Sequence, residues 1–328
     1  MHSRPLLPNA DKLLPYLKRI DESRYYSNTG PLVFELEGRL SEHFGCGVVT
    51  ASSCTSGLTA CLTAWNLPKG SRISVPSFTF VASASAIIAS GHVPYFFDIG
   101  FNWCLDVKGR MAVCVFGRPL ASENPEPEHL PIVIDGAAAF DTIKASECPT
   151  VISTHATKVF STGEGGLILS KDEAFLKTVR EILNFGIDEN RNVNYFGFNG
   201  KMSEYAAAVG LAELDGWADK RARWIETKRR CKAAFPKYRS LVEGEWASNV
   251  YPIVLNRPSA RVVRKMCERG MLSRKWIPVH YLKAYENFPR TDMTYTNELA
   301  KNTILLPFSI DITDEEIAQI GEALCASL

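Results

Sequence analysis

The sequence lacks three features that would place it in a simple functional class. Its 37 Lys and Arg residues nearly balance 36 Asp and Glu residues, so it has no overall positive field for generic binding to nucleic acid or anionic membrane. Its nine cysteines are scattered without a C-x-x-C pair, which argues against a disulfide framework or a metal site. No apolar stretch is long enough for a signal peptide or a membrane span. We therefore expect a cytoplasmic protein that binds any anionic ligand locally.

The chain has enough apolar residues for a substantial core. It has 328 residues, of which 46% are hydrophobic and 22% are charged, and this composition is typical of a globular protein. Candidate strands alternate with helical segments in the first two thirds, which predicts an α/β fold with a mostly parallel sheet and helices on both faces. These strands are Val93–Phe97, Ala112–Phe116, Pro131–Asp135, Thr150–Ser153 and Leu167–Leu169.

The pattern of predicted strands and helices changes after about Trp217. A short strand, Tyr251–Leu255, is followed by the basic amphipathic segment NRPSARVVRKMCERG, and this pattern predicts a small α+β domain. We expect a large domain over residues 1–217 and a small C-terminal domain over residues 218–328.

Two polar groups stand where a parallel sheet binds ligands, at the carboxyl ends of strands. The small-residue turn that contains Ser53, Thr55 and Ser56 opens a helix, and free N–H groups there suit a phosphate, although from this feature alone a simple helix cap is the favoured explanation. Asp135 ends the apolar run PIVID. It is either a helix cap or a carboxylate that faces a cationic ligand group.

Two further residues are of interest. Lys158 lies among small residues and glycines in STHATKVFSTGEGG; most lysines are solvated surface residues, but the glycines allow close backbone approach. Phe78 follows a strand-ending proline, where it either packs in the core or stacks on a flat ligand ring.

The order of these features is that of fold-type I enzymes, which use pyridoxal phosphate (PLP). The sequence also resembles the DegT/DnrJ/EryC1/StrS family of sugar aminotransferases, from about Thr29 to Asp215 and again near His280. The similar segments are TGPLVFELEGRLSEHFG, VPSFTFVASASAIIASGHVPYFFDI, VIDGAAAF, STHATKVFSTGEGG and FNGKMSEYAAAVGLAEL. The resemblance implies the PLP-transferase fold type I and PLP as the cofactor.

The resemblance also implies a role for each catalytic residue. Lys158 would form the Schiff base with PLP and move the proton between cofactor and substrate carbons, because a desolvated lysine is a neutral nucleophile and base. Asp135 would pair with the pyridinium nitrogen, which makes the ring an electron sink. Phe78 would stack on the ring face.

Further binding residues follow from the same resemblance. Those implied to hold the phosphate are Thr55, Ser56 and Ser153, with Asn199 reaching it from the other subunit of a homodimer with shared active sites. Thr29 and His280 would lie near the sugar, although a turn residue and a structural histidine are the simpler explanations. The implied substrates are a nucleotide-linked keto sugar and, as amino donor, glutamate.

Several positions depart from the family pattern. Ala138 stands in place of a glutamine that bonds the cofactor's phenolic oxygen, Cys54 in place of the glycine of SGT, and Thr154 in place of a phenylalanine. The dipeptide GK replaces YR after Asn199, and residues 106–131 are fewer than usual, so that a crossover helix is expected to be missing.

Because of these departures, functions other than that of an aminotransferase stay open. One is a PLP-binding or regulatory protein without turnover. Another is a sugar dehydratase on the same scaffold, although that branch has histidine where this chain has Lys158. A plain Rossmann domain is disfavoured because no G-x-G-x-x-G follows the first strand.

Overall fold

A computed structural model describes residues 4–100, 110–120, 133–145 and 148–328. The helices of these residues are α1 (Ala10–Ser23), α2 (Pro31–Phe44), α3 (Cys54–Ala64), α4 (Val81–Ala89), α5 (Glu173–Leu183), α6 (Glu204–Asp215), α7 (Trp217–Ala234), α8 (Ser259–Glu268), α9 (Thr294–Asn302) and α10 (Asp314–Cys325). The strands are β1 (Gly47–Ala51), β2 (Arg72–Pro76), β3 (Val93–Phe97), β4 (Met111–Val113), β5 (Val133–Asp135), β6 (Thr150–Ser153), β7 (Gly166–Ser170), β8 (Arg239–Ser240), β9 (Tyr251–Val254), β10 (Arg274–Lys275) and β11 (Thr303–Leu306).

The central sheet has the order β1-β7-β6-β5-β4. Strands β4, β5 and β6 are parallel, and β7 runs antiparallel to both β1 and β6. Strands β2 and β3 form a parallel pair next to β4, where the Arg110 N–H donates to Ser74 Oγ at 3.0 Å. The predicted α/β class is therefore confirmed, with β7 as the strand that makes the sheet mixed.

Each face of this sheet is covered by a core of its own. Successive residues of a strand point to opposite faces. Val48 and Ile152 belong to the core that contains Leu36 of α2, whereas their neighbours Val49 and Val151 belong to the core that contains α3 and α4 residues. The prediction of helices on both faces is confirmed.

The C-terminal part forms an antiparallel sheet with the order β10-β11-β9-β8, packed with α8, α9 and α10. This agrees with the predicted α+β region. Leu36 and Ile253 lie in one continuous hydrophobic cluster, so packing does not mark a boundary, and the division at residue 217 stays a prediction.

The predicted strand Ala112–Phe116 is too long at its C-terminal end. Strand β4 ends at Val113, and a single 3-10 turn, Val115–Gly117, follows. Phe116 has a φ of 57° within that turn, and an extended strand cannot include such a backbone. The predicted loss of a crossover helix over residues 106–131 concerns positions that lie largely outside the described residues.

Among the described residues, no helix combines the length and apolar character that a membrane crossing requires.

Candidate functional site

A cavity of about 160 Å³ opens at the carboxyl ends of β4 and β5. It combines groups from the central sheet with groups from the C-terminal part of the chain. Its wall includes Thr79, Phe80, Cys114, Phe116, Asp135, Ala137, Ala138, Lys158, Asn249, Val250, Trp276 and Leu305. A site at this edge agrees with the general location of ligands in parallel α/β sheets.

Lys158 lies on the connection between β6 and β7. Its backbone N–H donates to His155 O at 2.8 Å, which closes a tight turn that directs the residue to the cavity. Burial lowers the pKa of the Lys158 ammonium, and nearby Cys54 and Asp135 offset part of this effect. A lowered pKa increases the share of the neutral amine, the form that acts as nucleophile and base.

Asp135 ends β5 and is 4% exposed. Its Oδ2 accepts a hydrogen bond from Ser83 Oγ at 2.6 Å, and its Oδ1 accepts from the Ala137 N–H at 3.1 Å. Burial raises the pKa of this carboxyl, while the hydrogen bonds from Ser83 and Ala137 and the charge of Lys158 lower it. A carboxylate fixed in this way is suited to a cationic ring nitrogen.

The N-terminus of α3 supplies the anion-binding end of the site. Ser53 caps the helix, and its side chain accepts from the Ser56 N–H, while the Gly57 N–H donates to Ser53 O at 3.0 Å. The hydroxyl of Ser56 is engaged too, because it donates to Ser53 O at 2.7 Å and accepts from the Ser53 N–H at 3.0 Å. The first two N–H groups, those of Cys54 and Thr55, are of the kind that an α-helix leaves unpaired and that suit an anion.

Close packing of backbone fixes the position of this turn. A Cβ on Gly166, the first residue of β7, would lie 2.6 Å from the carbonyl carbon of Ser53 and 2.7 Å from the backbone nitrogen of Cys54. Glycine is therefore required for the helix to start against the sheet. Ser153, 8% exposed, ends the neighbouring strand β6 and accepts from the His155 N–H at 3.3 Å.

The two phenylalanines of SFTF have different surroundings. Phe78 is 3% exposed and packs against Trp276 and Phe116, with ring centroids 5.4 Å and 6.2 Å away. Phe80, directly before α4, is 67% exposed and lies on the cavity wall. Phe80 is thus the side chain with a free face, whereas the predicted stacking residue, Phe78, supports the wall from behind.

This difference gives a testable prediction for a pair of matched substitutions. Phe78→Ala should destabilise the fold by about 3–5 kcal/mol, because it empties a buried site. Phe80→Ala should leave the free energy of unfolding nearly unchanged and raise the Kd of PLP about tenfold, because it removes a ring contact. Urea unfolding and cofactor titration of both variants measure the two effects. If Phe78→Ala instead weakens PLP binding as much as Phe80→Ala is expected to, and leaves the free energy of unfolding unchanged, Phe78 is the residue that stacks on the ring.

Two further predicted residues, Asn199 and Thr29, are not among those that line the cavity. Asn199 is exposed, and the carbonyl of its neighbour Gly200 accepts from the Ser52 N–H at 2.6 Å, so its segment adjoins the anion-binding turn. Thr29 has a φ of 59°, a left-handed conformation that is strained for a β-branched residue.

His280 is buried, and both of its ring nitrogens are engaged. Nδ1 lies 2.6 Å from Ser77 Oγ, and Nε2 lies 3.1 Å from Asn297 Oδ1. Burial lowers the pKa of the imidazole. This geometry gives His280 a role in joining the residue after β2 to the C-terminal part, and its place near a sugar stays a prediction.

The positions that depart from the family pattern have local explanations. Ala138 lies on the cavity wall and has no polar side chain to offer a ligand. Cys54 is buried, with its Sγ 3.9 Å from Val151 O. Thr154 is buried too and pairs with Thr162, their hydroxyl oxygens 2.7 Å apart.

The residues present fit PLP. The cofactor needs an amine for its aldehyde, a carboxylate for its ring nitrogen, a flat neighbour for its ring and amide donors for its phosphate. Lys158, Asp135 and Phe80 line one cavity, and the start of α3 offers the amide donors. Among the described residues, no group of three or more His, Cys, Asp or Glu side chains is placed to hold a metal ion.

Comparison with known proteins agrees with this assignment. The sequence profile of the DegT/DnrJ/EryC1/StrS aminotransferase family matches residues 9–112 and 127–325. The chain belongs to this family. The match passes through Asp135, Lys158 and the start of α3, and it omits residues 113–126, which lie within the stretch predicted to be short, residues 106–131.

Two curated relatives illustrate the similarity. A dTDP-4-amino-4,6-dideoxy-D-glucose transaminase of Shigella dysenteriae is 32% identical over 65% of this chain and 64% of its own length, so the match spans less than two thirds of that relative. The GDP-perosamine synthase of Caulobacter vibrioides is 26% identical over 94% of this chain and 93% of its own length.

Solved structures show the same fold over nearly the whole chain. A protein of Bacillus cereus ATCC 10987 that is assigned to the PLP-dependent aminotransferases has 29% identity and a TM-score of 0.90, with 98% of both chains covered. DesI, solved in the presence of its TDP-sugar product, has 27% identity and a TM-score of 0.84, with 99% of this chain and 92% of its own covered. The predicted PLP-transferase fold type I is confirmed.

Proposed function

We propose that this protein is a PLP-dependent aminotransferase that transfers an amino group from glutamate to a nucleotide-linked keto sugar. The observation that carries the proposal is the presence of a half-buried lysine with a lowered pKa, Lys158, and a buried carboxylate, Asp135, on one small cavity. Relatives named as a dTDP-amino sugar transaminase and a GDP-perosamine synthase support the sugar substrate class.

Each residue of the site has a task in this function. When bound, PLP supplies an aldehyde that condenses with amines and a ring that withdraws electrons. Lys158 presents a neutral amine and moves protons at its Nζ, and Asp135 holds a proton on the ring nitrogen. The N–H groups of Cys54 and Thr55, with Ser153 beside them, bind the phosphate. Phe80 covers the ring face and excludes water from it.

We also propose that the active protein is a homodimer in which Asn199 of each chain reaches the phosphate of the other. Apolar side chains are exposed on and near the segment that carries Asn199: Phe196 is 93% exposed, Val193 69% and Phe185 49%. A monomer rarely leaves such side chains together in water. Sedimentation equilibrium should give about twice the mass of one chain, and a monomer at micromolar concentration would contradict this arrangement.

The test of the proposed function has two steps. First, PLP should give the purified protein a visible absorption band, and glutamate should bleach that band. Second, a panel of nucleotide-linked keto sugars should restore the band and yield amino sugars detectable by mass spectrometry. A protein that binds PLP but is not bleached by glutamate is a binding or regulatory protein. Loss of water from a sugar without incorporation of nitrogen would indicate a dehydratase.

A further inference from the structure

Residues 244–250 form the segment between β8 and β9. Charged side chains hold this segment at several points. Lys228 Nζ donates to Gly244 O at 2.7 Å and to Trp246 O at 2.5 Å. Asp141 Oδ2 accepts from the Ala247 N–H at 2.8 Å. Because Asp141 also pairs with Arg221 of α7 at 2.5 Å, the segment is fixed to both the helix and the loop that follows β5.

Asn249 lies near the end of this segment and reaches the turn that carries Lys158. Its Nδ2 donates to Thr157 O at 2.8 Å, and its side chain forms part of the cavity wall. The contact joins residues that are far apart in sequence, so it exists only in the folded chain. The hydrogen bond therefore ties the β6–β7 connection to another part of the chain.

The acceptor of this hydrogen bond belongs to the peptide unit that precedes Lys158. That unit is planar, so its C=O and N–H groups rotate together. Its N–H end is Lys158 N, which donates to His155 O at 2.8 Å, and its C=O end is Thr157 O, which accepts from Asn249. With both ends bonded, the plane cannot turn, and the direction in which Lys158 leaves the backbone is fixed.

We infer that Asn249 is a positioning residue that holds the 157–158 peptide plane and thereby aims Lys158 into the cavity. The consequence for turnover rests on the proposed function, but the structural effect does not. A small misplacement of a catalytic group lowers the rate strongly, while substrate binding is affected much less. Asn249→Ala removes the donor, and Asn249→Asp keeps the size but replaces the donor by an acceptor.

The structural effect is measured by hydrogen exchange of the Lys158 amide, with and without PLP. In the protein without cofactor, both variants should exchange this amide about three- to tenfold faster than the wild type, the range expected for one lost hydrogen bond. Asn256→Ala, at an exposed asparagine beyond β9, is the matched control and should leave the rate unchanged. Exchange within twofold of the wild type in both Asn249 variants would overturn the inference, whether or not the protein is a transaminase.

The kinetic effect is measured in the PLP-loaded protein. For Asn249→Ala we expect kcat with glutamate to fall about 10- to 100-fold, KM to change less than about threefold, and the pH midpoint of the visible band to shift. A raised KM with unchanged kcat and pH midpoint would show that Asn249 contacts substrate instead, and would refute the positioning role. If the wild type shows no visible band with PLP, the proposed function fails while the exchange experiment still decides the inference.

Discussion

Lys158→Ala should reduce transamination by more than about 10³-fold, because one side chain both attaches the cofactor and transfers the proton. The variant should fold normally, since it removes a half-buried amine whose pKa is lowered and adds no polar group. Activity with glutamate and a keto sugar measures the loss. Lys69→Ala, at an exposed lysine, is the control and should retain full activity.

The same lysine can be identified chemically. Treatment of the PLP-loaded protein with borohydride, followed by digestion and mass spectrometry, should place the reduced cofactor on the peptide that contains Lys158. Because the lowered pKa leaves more neutral amine near neutral pH than an ordinary lysine has, labelling at Lys158 should persist at pH values where surface lysines react little. Labelling spread evenly over many lysines would contradict the assignment.

Asp135→Asn should lower kcat by about 10²–10⁴-fold, an effect of the size seen when a positioned charged group is lost from a reaction centre. The amide has the shape of the carboxylate but cannot keep a proton on a ring nitrogen. The Ala137 N–H keeps its acceptor if the amide oxygen takes the place of Oδ1, and the amide Nδ2 can then donate to Ser83 Oγ, which lies 2.6 Å from Oδ2, so the fold should tolerate the change. Steady-state kinetics and thermal unfolding measure the two effects.

Asp21→Asn, on an exposed carboxylate of α1, is the matched control for charge. The Asp135→Asn variant should also show an altered absorption spectrum of bound PLP, because the protonation of the ring nitrogen changes. Unchanged kcat and spectrum would remove Asp135 from the proposed mechanism.

The groups that could be predicted from the sequence are those that lie at the ends of consecutive strands. Asp135 and Lys158 each follow an apolar run, and parallel strands bring their carboxyl ends to one edge. The small residues around Ser53 predict a turn that opens a helix, and the structure confirms the helix that begins after it. These features depend on local sequence and on one rule of topology.

The groups that could not be predicted depend on contacts between distant parts of the chain. Phe78 and Phe80 both follow β2, and only the packing of Trp276 against Phe78 shows which of them faces the cavity. Asn249 lies in a segment without a distinctive pattern, and its contact with Thr157 O arises from tertiary structure. His280 was recognised by resemblance, but its partners Ser77 and Asn297 could not be inferred from spacing.

The pairing of β1 with β7 has a consequence for how this chain can vary. Ala51 is paired with Gly166, so the turn at Ser53 and the connection that carries Lys158 are kept side by side by the alignment of two short strands. Adding or deleting one residue in either strand would reverse the direction of every following side chain and separate the two halves of the site. Sequence drift in these strands should therefore proceed by replacement of residues, and changes of length should be confined to the loops.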